Sequence, residues 1–354
     1  MAIATTTLVI HACGGAPTNI LKKIRKNLLP YGEKNAFTEL KIRYIDTTTS
    51  SVKDIPLTVN EEVFTIEEHK SSKPDLDGSG GLRGYNAESI KIGIKKYIDQ
   101  YSLHQPVTGE YHLVLTALSG GSGSVIAKDV VEGLVLAGAT FTVFGIGEEA
   151  EHQRALNTYS TLVTLQNIAM RNKTGLTLAY FNNELRKSGS VASIKEDVDK
   201  SVLEKIKDVM AFLSATVDNI DATDRKGLFN PGFYTDRLGL PSGLYGLIMA
   251  RNQILTTDYE NTLPAVARTI YISKDEVPVI NPEYVNTKHG FFTDPDAVSE
   301  VGTGPLCLAT YYGVFNRIID SLKQNIAERE KQIKDAASNT TYKTEADDTL
   351  EDIY

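Results

Sequence analysis

The sequence predicts an α/β fold, a mainly parallel sheet wrapped by helices, on the strength of three observations. Short β-branched and aliphatic runs alternate with helix-length amphipathic stretches over residues 1–190. The turns from strand to helix are rich in glycine, above all Cys13-Gly-Gly-Ala-Pro-Thr-Asn19 and Leu118-Ser-Gly-Gly-Ser-Gly-Ser-Val125. A chain of 354 residues with 41% hydrophobic content can bury a large core and build two domains.

Thr5 to Ala12 reads as a buried strand, and Ile20, Ile24 and Leu28 mark the apolar side of the helix after it. Leu40 to Ile45 is a second strand, closed by Asp46 and three threonines. A long polar region follows, carrying Asp75-Leu-Asp-Gly-Ser-Gly-Gly-Leu-Arg-Gly84 before a helix over 87–101. Strands over 111–116, 139–146 and 176–181 alternate with helices over 126–136 and 149–172. Val198, Val202, Ile206, Val209 and Leu213 recur at helical spacing and predict a long helix over 191–215. Residues 265–273 are strand-like, and prolines at 264, 278, 282 and 295 break up any helix around them. Leu306, Tyr311, Phe315, Ile319 and Leu322 predict a last helix over 304–337, followed by an extended tail over 338–354. No internal repeat is present.

The net charge of -8 argues against a general nucleic-acid-binding surface. Cys13 and Cys307 are the only cysteines, too few for a disulfide framework or a thiolate zinc site, and they suit a reducing cytoplasm. The N-terminus lacks a basic segment followed by an apolar core, and no apolar run approaches the ~18 residues of a membrane span. These features predict a soluble intracellular protein.

Ligands of parallel sheets bind beyond the carboxyl ends of the strands, where all the loops above lie. The turn Ser119, Gly120, Gly121, Ser122, Gly123, Ser124 leaves backbone N–H groups unobstructed at a helix N-terminus. That arrangement holds phosphate through N–H donors, hydroxyls and the positive end of the helix dipole. A plain tight turn is the alternative. A dinucleotide-dependent oxidoreductase also uses glycine-rich turns, but no GxGxxG follows the first strand.

Beyond the long helix stands Asp218-Asn-Ile-Asp-Ala-Thr-Asp224. The order of loops, from glycine turn to Asp-Thr loop, Gly-rich loop, GGSGS turn, Asn-Glu turn, long helix and NxDxxD, resembles the tubulin/FtsZ superfamily of polymerising GTPases. Its signature (G/A/S)GGTG(S/T)G differs here at Ser122 for threonine and Val125 for the last glycine, while Asn219-x-Asp221-x-x-Asp224 matches without departure. The compact length, the serine in the turn and the acidic end after a long helix resemble the short bacteriophage branch, the PhuZ and TubZ type.

The resemblance implies GTP/GDP and Mg2+ as ligands and a division of the chain into five parts. These are a Rossmann-type GTP-binding domain over 1–190, a central helix over 191–215 and a smaller α+β activation domain over 216–303. A long last helix over 304–337 and an acidic tail over 338–354 complete it. Gly14 and Gly15 then approach the α- and β-phosphates, Asn19 touches the base, and Asp46 lies near magnesium. Gly80, Gly81 and Arg83 close over the γ-phosphate. Glu148 or Glu149 takes the ribose hydroxyls, Asn183 reads guanine, and Asp199 or its neighbour Asp197 accepts from the guanine ring N–H and amino group.

Asp221 and Asp224, with Asn219, imply a composite site: the loop of one subunit enters the nucleotide pocket of the next, and hydrolysis requires assembly. The implied partner is the chain itself, in head-to-tail filaments, with the tail (Asp347, Asp348, Leu350, Glu351, Asp352, Ile353, Tyr354) docking on a neighbouring subunit. No membrane and no direct nucleic-acid contact is expected. The resemblance implies a phage filament that positions DNA or cargo in the host bacterial cytoplasm, or a plasmid or prophage partition motor acting through an adaptor.

Overall fold

The structure is a computed structural model and describes residues 6–34, 39–48, 50–53, 55–66, 87–105, 107, 109–183, 191–214, 227–229, 239–251, 265–272, 278–279, 284–287, 290–293 and 304–344. Its first strand, β1 (Thr7–Cys13), is followed by α1 (Gly15–Lys34), β2 (Glu39–Asp46), β3 (Glu61–Thr65) and α2 (Ala87–Gln100). Then come β4 (Glu110–Ala117), α3 (Ser122–Leu136), β5 (Thr140–Gly147), α4 (His152–Arg171) and β6 (Gly175–Asn182). The chain continues through α5 (Val191–Ser214), β7 (Gly243–Arg251), β8 (Val266–Ile272) and β9 (Pro278–Val279). It ends with β10 (Tyr284–Thr287), β11 (Gly290–Thr293), β12 (Gly304–Tyr312) and α6 (Val314–Thr344).

Ten strands form one sheet in the order β3-β2-β1-β4-β5-β6-β7-β12-β8-β9, while β10 and β11 pair separately. From β3 to β7 every pairing is parallel; β7, β12, β8 and β9 pair antiparallel. The helices have to cover both faces, because side chains on a strand alternate and a parallel sheet buries both sets. In β4, Leu113 and Leu115 join a cluster with Leu21 and Leu28 of α1 and Val202, Ile206 and Phe212 of α5. Val114 between them joins the opposite cluster, with Ile126 and Val130 of α3, Leu162 of α4 and Phe315 and Leu322 of α6. So α1 and α5 cover one face, and α2, α3, α4 and α6 cover the other.

The α/β fold and the long helix α5 agree with expectation; the end of the chain corrects it. Residues 304–312 are strand β12, not the first part of a helix, and α6 starts at Val314 and reaches Thr344. The apolar run there has period two: Leu306 and Leu308 face one cluster, Cys307, Ala309 and Tyr311 the other. A strand buried on both faces gives a continuous apolar run that spacing alone does not separate from a helix. Gly313, at φ +84°, makes the break between them. The tail is correspondingly shorter at its start, since 338–344 are helical and 345–354 lie outside the described residues.

Strand β3 lies in the region read as polar. Its Glu61 is buried, where Arg25 of α1 donates to both carboxylate oxygens and the Tyr44 hydroxyl donates at 2.9 Å. A buried charge is tolerated when paired and hydrogen-bonded in this way, so a strand edge can carry it.

Candidate nucleotide site

Two helix N-termini meet at the carboxyl ends of β1 and β4. Gly14 takes φ +89°, which turns the chain from β1 into α1, and its N–H donates to Ile45 O at 2.7 Å. A Cβ on Gly14 would lie 2.7 Å from Gly123 Cα, and one on Gly123 would lie 2.5 Å from Cys13 O. Glycine is therefore required at both positions for the two backbones to approach.

Neither α1 nor α3 carries an acidic residue in its first turn, and the α3 cap, Gly121, has no side-chain cap hydrogen bond. Neither positive end is offset by a carboxylate of its own first turn, although Asp46 Oδ2 lies beside Gly15 at the start of α1. Helix α4 contrasts with them: Glu151 caps it, accepting from Gln153 N at 3.0 Å and Arg154 N at 3.1 Å.

The Ser124 hydroxyl bonds back to Gly120 O at 2.8 Å and Gly121 O at 2.9 Å. A trans peptide sets its N–H opposite its C=O. Drawing those two carbonyls toward Ser124 thus turns the N–H groups of Gly121 and Ser122 away from it. Helix α4 holds the preceding carbonyls, with Thr161 Oγ1 donating to Leu118 O at 3.0 Å and Asn157 Nδ2 to Ser119 O at 3.0 Å. Gln153 Nε2 donates in turn to Asn157 Oδ1 at 3.2 Å.

A cavity of about 740 Å³ opens beside these helix ends. Ala16, Asn19, Lys23, Ser119, Gly120, Gly121, Glu148, Arg154, Asn157, Asn183 and Asp199 are among its walls. The volume falls within the range of small-molecule sites. Of the residues singled out in sequence, Asn19, Ser119, Gly120, Gly121, Glu148, Asn183 and Asp199 line one cavity. Gly14 and Gly123 are not in the lining; they hold the two turns together beside it.

The open alternatives separate. Glu148 lines the cavity and accepts from Arg154 Nη1 at 2.5 Å, whereas Glu149 accepts from the Tyr180 hydroxyl and Asn182 Nδ2, both at 2.9 Å, outside the lining. Asp199 lines it and accepts from Lys23 Nζ at 2.8 Å; Asp197 is not in the lining. Each lining carboxylate already has a partner: Arg154 for Glu148, the α4 N-terminus for Glu151, Lys23 for Asp199.

Two of the expected site residues lie outside the cavity lining. Ser124 stays out of the lining and spends its hydroxyl hydrogen on loop carbonyls, so it shapes the turn. Asp46 also stays out of the lining. Its Oδ1 accepts from Thr47 N at 2.7 Å and its Oδ2 from Ser51 Oγ at 2.9 Å, behind Gly15. Burial raises its pKa and those hydrogen bonds lower it again. Among the described residues no group of three His, Cys, Asp or Glu side chains is placed to hold a metal, so these residues do not fit a protein-built metal centre. Gly80, Gly81, Arg83, Asn219, Asp221 and Asp224 lie outside the described residues.

Sequence reasoning missed Asn157 and Thr161. Their signal was an amide and a hydroxyl four residues apart on the helix facing the glycine turn, which only the fold makes visible. No helix of the described residues is long and apolar enough to cross a membrane.

No protein-family model matches the chain, and no curated protein matches it in sequence. Solved structures do. The phage tubulin PhuZ bound to GDP superposes with a TM-score of 0.64 at 18% identity, covering 94% of this chain and 93% of that one. The PhuZ201 filament superposes with 0.63 at 17% identity, covering 92% of each. FtsZ from M. jannaschii superposes with 0.55 at 14% identity, covering 88% of this chain and 92% of that one. At such identity the likeness is one of fold, and that fold is tubulin/FtsZ-like.

Proposed function

We propose that this chain, folded like tubulin and FtsZ, binds GTP, polymerises head to tail and hydrolyses GTP where two subunits meet. One observation carries the reading: two helix N-termini with no acid in their own first turns converge through Gly14 and Gly123 beside a cavity lined by Asn19, Asn183 and Asp199. The first feature suits phosphate, the second a polar base. The similar PhuZ structures, one bound to GDP and one a filament, support the same reading.

In this account the N–H groups of Gly121 and Ser122 donate to phosphate oxygens, while Gly120, whose own N–H donates to Ala117 O at 3.0 Å, lines the cavity beside them, and Gly80, Gly81 and Arg83 close over the γ-phosphate. Glu148 takes the ribose, while Asn183 and Asp199 read guanine. Magnesium, when present, offsets phosphate charge and is carried by the nucleotide. Among the described residues every lining carboxylate is already paired, and in this reading the group that orients the attacking water comes from the next subunit. Asp221 and Asp224 supply it, and Asn219 shapes their loop. A carboxylate there accepts the water's proton as the new P–O bond forms and the bond from the γ-phosphorus to the β–γ bridging oxygen breaks, so that GDP leaves and phosphate is released.

Residues 1–190 form the nucleotide unit in this reading and 216–303 the activating one, joined by the central helix. The acidic end of the chain docks on a neighbouring subunit. The filament belongs to a phage and moves DNA or cargo in the bacterial cytoplasm. A partition motor is the second reading; the net charge of -8 would then require a basic adaptor to reach DNA.

Electron microscopy and pelleting with GTP, GDP and NADH test the proposal. Filaments with GTP and none with NADH are expected. A protein that binds NADH but not GTP would refute it.

A further inference from the structure

Lys23 and Asp199 meet across the cavity wall. Lys23 stands one helical turn beyond Asn19 on α1, and its Nζ donates to Asp199 Oδ2 of α5 at 2.8 Å. The partners are unequal, for the Lys23 side chain is 65% exposed and that of Asp199 11%. Bridges with one arm in water contribute little to stability. Fixing a buried carboxylate inside a cavity has another consequence, because it decides which way the carboxylate plane faces.

We propose that Lys23 is a positioning residue for base selection, holding Asp199 so that both carboxylate oxygens face the edge of a guanine. The proposal rests on reading the cavity as a guanine nucleotide site. Guanine presents two adjacent donors, the ring N1–H and the 2-amino group. Hypoxanthine keeps the N1–H and lacks the amino group, and adenine has neither. A carboxylate held in the base plane accepts both donors of guanine, whereas one free to rotate accepts one. Oδ2 keeps a lone pair after accepting from Lys23, so the bridge and the base do not exclude each other. Asn19, on the same wall, leaves Lys23 as the cation on this face of α1 among the lining residues.

The test compares dissociation constants of GTP, ITP and ATP for the full chain, Lys23→Met and Lys23→Arg. The exposure of Lys23 lets Lys23→Met fold, and an unchanged melting temperature verifies it. Lys23→Met should weaken GTP by about tenfold, the order of one hydrogen bond to a charged group. ITP should weaken by less, so the preference for GTP over ITP contracts, and Lys23→Arg should restore it. If Lys23→Met weakens GTP and ITP equally, or leaves both unchanged, Lys23 does not orient Asp199 and the proposal is overturned. A wild-type protein that fails to separate GTP from ATP refutes the guanine reading itself, and the role of Lys23 falls with it.

Discussion

At Gly123 one hydrogen atom decides whether two loops can meet. An alanine there sets its methyl 2.5 Å from Cys13 O and 3.4 Å from Gly14 Cα, so the turns must part. Overpacking of this kind costs about 1–3 kcal/mol. Gly123→Ala should therefore weaken GTP and GDP by roughly ten- to a hundredfold, measured by titration. Wild-type affinity in a folded Gly123→Ala protein would separate the glycine contact from nucleotide binding.

A second cluster of residues makes stability depend on pH. His11 Nδ1 lies 2.6 Å from the Tyr97 hydroxyl oxygen and His11 Nε2 lies 3.0 Å from His112 Nδ1, all three side chains buried. The contact between the rings accommodates one proton, so the two histidines cannot both be charged. Burial first, then His112 and Arg43 nearby, hold the His11 pKa well below its ordinary value; burial and Arg43 push His112 down to about 3. Both folded values are depressed, so this stability is fully present above the unfolded pKa near 6.5 and is lost as pH falls below it. The loss reaches about 3 kcal/mol for two histidines at pH 5.5. Urea unfolding at pH 8 and 5.5 checks it: a midpoint that does not move would show that the rings are not held neutral.

The sequence made the glycines of the two turns legible, because backbone clearance is local. It left Glu148 and Glu149 undivided, since adjacent residues at a strand end differ only in which way each points. Nor did it show the bonds of Ser124: spacing places a hydroxyl in a loop but not the carbonyls of Gly120 and Gly121 that it meets.

Helix α4 illustrates what one element does for another. Through Asn157 and Thr161 it fixes two carbonyls of the glycine turn, and through Glu151 it neutralises its own N-terminus. The turn is thereby held without using the N–H groups left for a ligand. Asn157→Asp replaces the donor at Ser119 O with an acceptor, and two acceptors facing each other in a buried site repel. GTP and GDP affinity should fall together, by about tenfold or more, with the preference for guanine over adenine retained. A change in base preference instead would assign Asn157 to the base. Element periodicity exposed α5 and the parallel strands early, because their patterns run long. It failed at β12, where burial of both faces hides the alternation, and at β3, where paired charges stand in for apolar residues.

Over the whole molecule the sheet passes without interruption from the parallel strands around the cavity to the antiparallel β7, β12, β8 and β9. Helix α5 spans this arrangement, with Asp199 near its start in the cavity wall and Phe212 near its end packed in the core. The order of loops made the fold legible before any geometry, since a single glycine turn is ambiguous and a sequence of loops is not. The central proposal is that the carboxylates lining the cavity among the described residues are all engaged, and that Asp221 and Asp224 of the next subunit supply the catalytic one. It is tested most directly by the GTPase rate per subunit as protein concentration rises, with Asp224→Ala alongside. The rate should be near zero in dilute protein and climb steeply where filaments appear, while Asp224→Ala binds GTP, assembles and hydrolyses at least about a hundredfold more slowly, the lower end of the range for one general base. A rate per subunit that stays constant from dilute to polymerising protein would contradict the shared site.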